Sequence, residues 1–123
     1  MCKKHFQEDK SKYNGIDLVT EIVDQFPMIE ELTKESYPYY TLSRLYDYLL
    51  DCNMRKRLSE LIRIAEFINE VTPKCNYEMK DALVIEMINP AYDNSKIKQL
   101  FLNYLKGEAY QLFNQQKRFF EEE

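Results

Sequence analysis

One histidine, His5, and no tryptophan occur in a chain of 123 residues. A single imidazole excludes a multi-histidine metal centre and most histidine-based acid–base catalysis. Glycine occurs twice and proline four times. Antiparallel sandwiches and barrels use such residues at every turn, so their scarcity argues against an all-β fold. Two glycines also cannot build a phosphate-cradling loop. The longest apolar run, Ala82-Leu83-Val84-Ile85, is far too short to span a bilayer. Met1-Cys2-Lys3-Lys4-His5-Phe6 is followed by Gln7-Glu8-Asp9-Lys10 rather than by an apolar stretch, so no secretory leader is expected.

Three cysteines, Cys2, Cys52 and Cys75, form an odd set without paired spacing. They read as reduced thiols of a cytoplasmic protein. Cys2-x-x-His5 has the form of half a zinc site that Cys52 and Cys75 would have to complete. Those two lack any local pairing and look like helix-end hydrophobes, so neither metal nor other cofactor is expected.

Lys plus Arg is 17 and Asp plus Glu is 21, a net charge of −4. Hydrophobic residues make up 45%, enough for one domain with a core. The acidic balance disfavours a nucleic-acid binder, which should carry a basic stripe. The one basic cluster, Arg55, Lys56 and Arg57 with Arg63 beyond, is interleaved with Glu60 and Glu66 and reads as a solvated helix surface.

Helical periodicity dominates the chain. Asn14 caps a first helix with Ile16, Val19, Ile22, Val23 and Phe26 on one face, and Pro27 stops it. A second helix is expected from Met28 to about Ser36. After a connection at Ser36-Tyr37-Pro38-Tyr39-Tyr40, Thr41 caps a third helix through Leu42, Leu45, Tyr46, Leu49 and Leu50, ending at Asp51-Cys52-Asn53. A fourth, from Met54 to Val71, carries Leu58, Leu61, Ile62, Ala65, Ile68 and Val71 on its apolar face. A fifth, capped by Asn76, spans residues 77–89, ends before Pro90 and is apolar nearly all round, which marks a helix buried on several sides. Asp93-Asn94-Ser95 opens a sixth, Gly107 is placed to end it in the left-handed conformation, and the last runs from Glu108 to Phe120. The expected fold is therefore all-α with about seven helices. The expected organisation is a flexible tail at 1–13, one helical domain at 14–120 and an acidic tail at 121–123.

An offset of 39 residues superposes the third and fourth helices on the fifth and sixth, with Leu45 on Val84 and Leu61 on Leu100. Such a period suits a short, HEAT-like stack of helical hairpins. Two amphipathic helices also match once in about 3.6 phases, so an irregular bundle is the equal alternative.

Catalysis needs a nucleophile, base or metal held by partners, and no such constellation stands out. There is no Glu-x-x-His for di-iron chemistry. Glu86 is the carboxylate that stands out on the most apolar helix, since Asp81, nearer its start, is explained by the helix dipole. Glu86 is either a buried acid with a raised pKa or, with residue 82, the narrow wet edge of that helix. Tyrosine is the most over-represented residue, with 10 in the chain and Tyr37, Tyr39, Tyr40, Tyr46 and Tyr48 close together. Tyr46 lies on the apolar stripe and belongs to the core. The others offer rigid apolar area with a hydroxyl, the composition of interface centres. The expected partner-facing surface is Tyr37, Tyr39, Tyr40 and Tyr48, flanked by Glu30, Glu31, Glu35, Asp47 and Asp51.

The opening Leu18 to Phe26-Pro27, then Leu42-x-x-Leu45-x-x-Tyr48-Leu49, Phe67-Ile68-x-Glu70, Asp81-Ala82-Leu83-Val84-x-Glu86 and Leu105-x-Gly107 leading to Arg118-Phe119-Phe120 carry a resemblance. Over about residues 17–120 the chain resembles a family of small bacterial helical proteins of unassigned function, loosely associated with toxin-immunity loci. Those sequences often have a tryptophan where Phe120 stands. The resemblance implies an all-helical binding protein and transfers no catalytic residue. The expected function is a non-enzymatic, cytoplasmic protein-binding module, an immunity- or antitoxin-like inhibitor of a basic bacterial toxin, with no nucleic-acid or membrane partner. The alternative is a small-molecule binder or enzyme using a pocket between hairpins near Glu86. A weaker third is a nucleic-acid binder using Arg55 to Arg57.

Overall fold

The computed structural model describes residues 12–32 and 37–120, with the backbone alone at 30–32. Six helices follow one another: α1 (Gly15–Gln25), α2 (Pro38–Met54), α3 (Leu58–Val71), α4 (residues 77–91), α5 (Ser95–Tyr104) and α6 (Gly107–Phe120). Single 3-10 segments stand at Pro27–Leu32 and Thr72–Lys74. Among the described residues no β-strand forms, so the all-α expectation holds.

The helix starts follow local chemistry. Asn14 and Asp17 form a reciprocal capping box on α1, with bonds of 3.0 and 3.1 Å. Asn76 and Asn94 cap α4 and α5 through their side-chain oxygens. Pro38 begins α2 instead of breaking the chain before it, because a first-turn proline loses no helical hydrogen bond. Thr41, expected as the cap, lies buried one turn inside and donates its hydroxyl to the Tyr37 carbonyl. At its other end α2 runs through Asp51-Cys52-Asn53 to Met54, so α3 starts at Leu58 rather than Met54. Where an α-helix was expected from Met28, the segment Pro27–Leu32 is 3-10, and residues 33–36 of that expected helix lie outside the described residues.

α4 passes through Pro90 instead of stopping before it. Proline has no N–H for the carbonyl four residues back, and its ring would strike that carbonyl. The chain answers by widening into a π turn at Val84–Ile88, where the Asn89 N–H reaches the Val84 carbonyl. The wider turn shifts the helix phase only for the residues within and beyond it. Ala82, expected at the wet edge, is fully buried, while Ile85 is 49% exposed.

The core is continuous. It gathers Leu18, Ile22 and Phe26 from α1, Leu42, Leu45 and Leu49 from α2, and Met79, Leu83 and Met87 from α4, with the inner faces of α3, α5 and α6. α2 packs on α1, α3, α4 and α5, and α6 returns to touch α3 as well as α4. This closed arrangement is the irregular bundle, since hairpins in an open stack meet only their neighbours. Lys12 and Tyr13, placed by the sequence in a tail, are docked: Tyr13 pairs with the 72–76 turn through its N–H on Lys74 and its carbonyl on the Asn76 N–H.

Candidate functional site

The starts of α1, α2 and α4 meet at one end of the bundle. The Tyr13 carbonyl accepts the Asn76 N–H at 2.9 Å, joining the first turns of α1 and α4. Gly15 joins α1 to α2, because a Cβ there would stand 3.1 Å from Pro38 Cγ. Three helix N-termini concentrate positive dipole ends, and acids in first turns balance them. Asp17 does so on α1 and Glu78 on α4.

Tyrosines cover this end. Tyr37 is 59% exposed and Tyr40 45%, while Tyr39 is half-buried against the core. The Tyr37 and Tyr39 rings lie 5.9 Å apart. Desolvation raises the Tyr39 phenol pKa, and the charges of Glu78, Asp81 and Glu86 add to the rise, with Tyr37 contributing between them. Glu78, Asp81 and Glu86 lie on α4, which packs against α2, and their charge reaches Tyr39 across that seam. Glu86 is half-buried. The structure brings together the two features that the sequence kept apart, the tyrosine group and the Glu86 helix.

The rest of the expected surface divides differently. Tyr48 points inward and donates to Glu60 at 2.6 Å. Glu60 is also bound by Arg63 at 3.0 and 3.1 Å, and Arg63 stacks 4.3 Å over Phe26 and donates to the Gln25 carbonyl. Desolvation and the Glu60 hydrogen bond push the Tyr48 phenol well up, while Arg63 holds the Glu60 carboxyl below its ordinary range. These residues tie α1, α2 and α3 together, so Tyr48 is a strut rather than a partner contact. Asp47 pairs with Arg44 and Asp51 with Arg55. Asp51 lies twelve residues beyond Tyr39, about 18 Å along α2, at the opposite end of the bundle. The side chains of Glu30 and Glu31, and all of Glu35, lie outside the described residues. So do Cys2 and His5. Cys52 and Cys75 are buried, and burial pushes the Cys75 thiol up to about 12. Among the described residues no three His, Cys, Asp or Glu side chains cluster as metal ligands.

A family model of a domain of unknown function, DUF7674, matches residues 19–121. The chain belongs to the DUF7674 family. Searches of curated proteins and of solved structures each returned no match. The DUF7674 match begins inside α1 and runs past the end of α6, so Tyr37, Tyr39, Tyr40, Glu78, Asp81 and Glu86 lie within it, whereas Tyr13, Asn14, Gly15 and Asp17 precede it.

A cleft of about 550 Å³ opens on the other flank of α4, against α6. Asp81 and Val84 line it, with Lys12, Lys80, Glu108 and Gln116, and Glu86 does not. Lys80 and Glu108 pair across it at 2.5 Å, and Lys12 donates to the Pro73 carbonyl. No helix among the described residues is long and apolar enough to cross a membrane.

Proposed function

We propose that this DUF7674 protein is a non-catalytic binding module that captures a basic protein partner with its tyrosine–carboxylate end, in the manner of an immunity- or antitoxin-like inhibitor of a basic toxin. One observation supports this most: Tyr37, Tyr39 and Tyr40 stand at the start of α2, which packs on α4, and the charges of Glu78, Asp81 and Glu86 on α4 reach the Tyr39 phenol. Aromatics concentrate binding energy at a patch centre, and acids around them speed encounter with a cationic surface. The tyrosines ride on a proline-started helix, so little ordering entropy opposes binding.

The test pairs Tyr37→Ala with Tyr40→Ala, since both side chains are exposed and Tyr39 supports the core. A partner captured from the source cell and identified is then titrated against parent and variant. The variant should melt like the parent and bind at least about 30-fold more weakly, the scale of an interface hot spot. Glu78→Lys with Asp81→Lys should slow association and flatten its salt dependence. A variant that melts normally and binds equally well would refute the reading.

A second reading, a small polar ligand in the α4–α6 cleft, is favoured by the size of that cleft and its ammonium, amide and carboxylate lining. A metabolite panel that leaves the melting temperature unmoved would remove it.

A further inference from the structure

The corner between α2 and α3 exposes apolar side chains that a solvated turn has no use for. Met54 is 80% exposed and Leu58 58%. The turn itself is firmly built. The Arg57 N–H reaches back to the Cys52 carbonyl at 2.9 Å, and Lys56 sits at φ 59, the left-handed region. Beside it lies a shallow hollow of about 450 Å³, lined by Asn53, Met54, Lys56, Leu58, Leu61 and Lys96. Its wall is aliphatic and its charged lining is cationic. Arg55 next to it is taken by Asp51.

The complementary chemistry exists elsewhere on the same chain. At the end of α6, Phe120 stacks on Tyr92 at 4.9 Å, which fixes the last helical turn. Phe119 beside it is 71% exposed. The sequence continues Glu121-Glu122-Glu123. An aromatic knob followed by three carboxylates matches an aliphatic hollow rimmed by ammonium groups. No lining residue of the hollow belongs to α6.

We propose that the hollow receives Phe119 of a second copy of this chain, with carboxylates 121–123 of that copy meeting Lys56 and Lys96. The contact is head-to-tail, so each molecule keeps one free hollow and one free knob, and association continues into open chains or closes into a ring. The contact is small, so it forms and breaks readily. It uses no residue of the tyrosine end and stands independently of the proposed function.

Sedimentation analysis of the full chain, up to about 1 mM, tests this. The parent should self-associate, and more weakly as salt rises from about 50 to about 300 mM, because exposed charges are screened. Lys56→Glu with Lys96→Glu removes the hollow's charge. Phe119→Ala with Glu121→Gln, Glu122→Gln and Glu123→Gln removes the knob. Each variant alone should associate at least about tenfold more weakly. Mixed together they should form one heterodimer, since one copy keeps a working knob and the other a working hollow. Melting curves of each variant check the fold, and Met54→Ser serves as a second hollow variant if one melts early. A parent that stays monomeric throughout, association that neither variant weakens, or a mixture that forms no heterodimer would each overturn the proposal.

Discussion

Tyr48 shows how much a single hydroxyl decides. From sequence it stood off the apolar stripe of its helix and counted as surface. In the fold its oxygen meets Glu60, twelve residues on, and Glu60 meets Arg63 and through it Phe26. Periodicity locates a residue around its own helix and says nothing of which helix lies opposite, so this group was not legible. The Glu60–Arg63 spacing of three was the one available signal. A pH dependence follows. Arg63 first, then the Tyr48 hydroxyl against desolvation, holds the Glu60 carboxyl below the ordinary glutamate range. A carboxylate depressed in the folded state stabilises fully above its unfolded pKa of about 4.3, and that contribution disappears as pH falls through the folded value. Melting between about pH 5 and pH 3 should therefore fall less steeply in Glu60→Gln than in the parent, from a lower starting stability. Tyr48→Phe should cost about 1.5–3 kcal/mol by denaturant titration, the range for a hydrogen bond to a charged group.

At the scale of elements, the sequence was a good guide where an asparagine cap stood next to a periodic run, and a poor one at Thr41. Asn14, Asn76 and Asn94 mark α1, α4 and α5 as expected. It misled where proline was read only as a breaker, at Pro38 and Pro90. It also drew the apolar stripe of α3 too narrowly. Ile64 and Phe67 are buried, while Leu58, the first residue of that helix, is exposed. A helix touched on two flanks, as α3 is by α2, α5 and α6, buries a wider arc than one amphipathic seam. The reading of α4 as a helix buried on several sides stands, so Leu83→Ala, at a fully buried position, should destabilise by about 2–5 kcal/mol in denaturant unfolding. Gly107 begins α6 at φ +57 with nothing within 4 Å of a built Cβ. Gly107→Ala should cost about 1–2 kcal/mol in the same measurement through backbone conformation alone. A neutral result would mean that the α5–α6 corner rearranges.

Over the whole molecule, α2 separates two chemically unlike ends. Tyrosines and the α4 carboxylates stand at its start, and Met54 with Lys56 and Arg57 stands at its finish. The periodic helices and the total charge could be read directly, but which side chains meet across helices needed the packing. The docking of Lys12 and Tyr13 on the 72–76 turn has one more consequence. Lys12 and Gln115 with Gln116 line the same cleft, so the two ends of the helical domain come close together. Connectivity and architecture are then separable. A chain whose residues 12 and 120 are bridged by a short flexible linker, and which is reopened at Lys56 in the exposed corner, should regain the same helical circular dichroism and a cooperative melt. Failure of that permuted chain to fold would show that the order in which the helices are joined matters as much as where they lie.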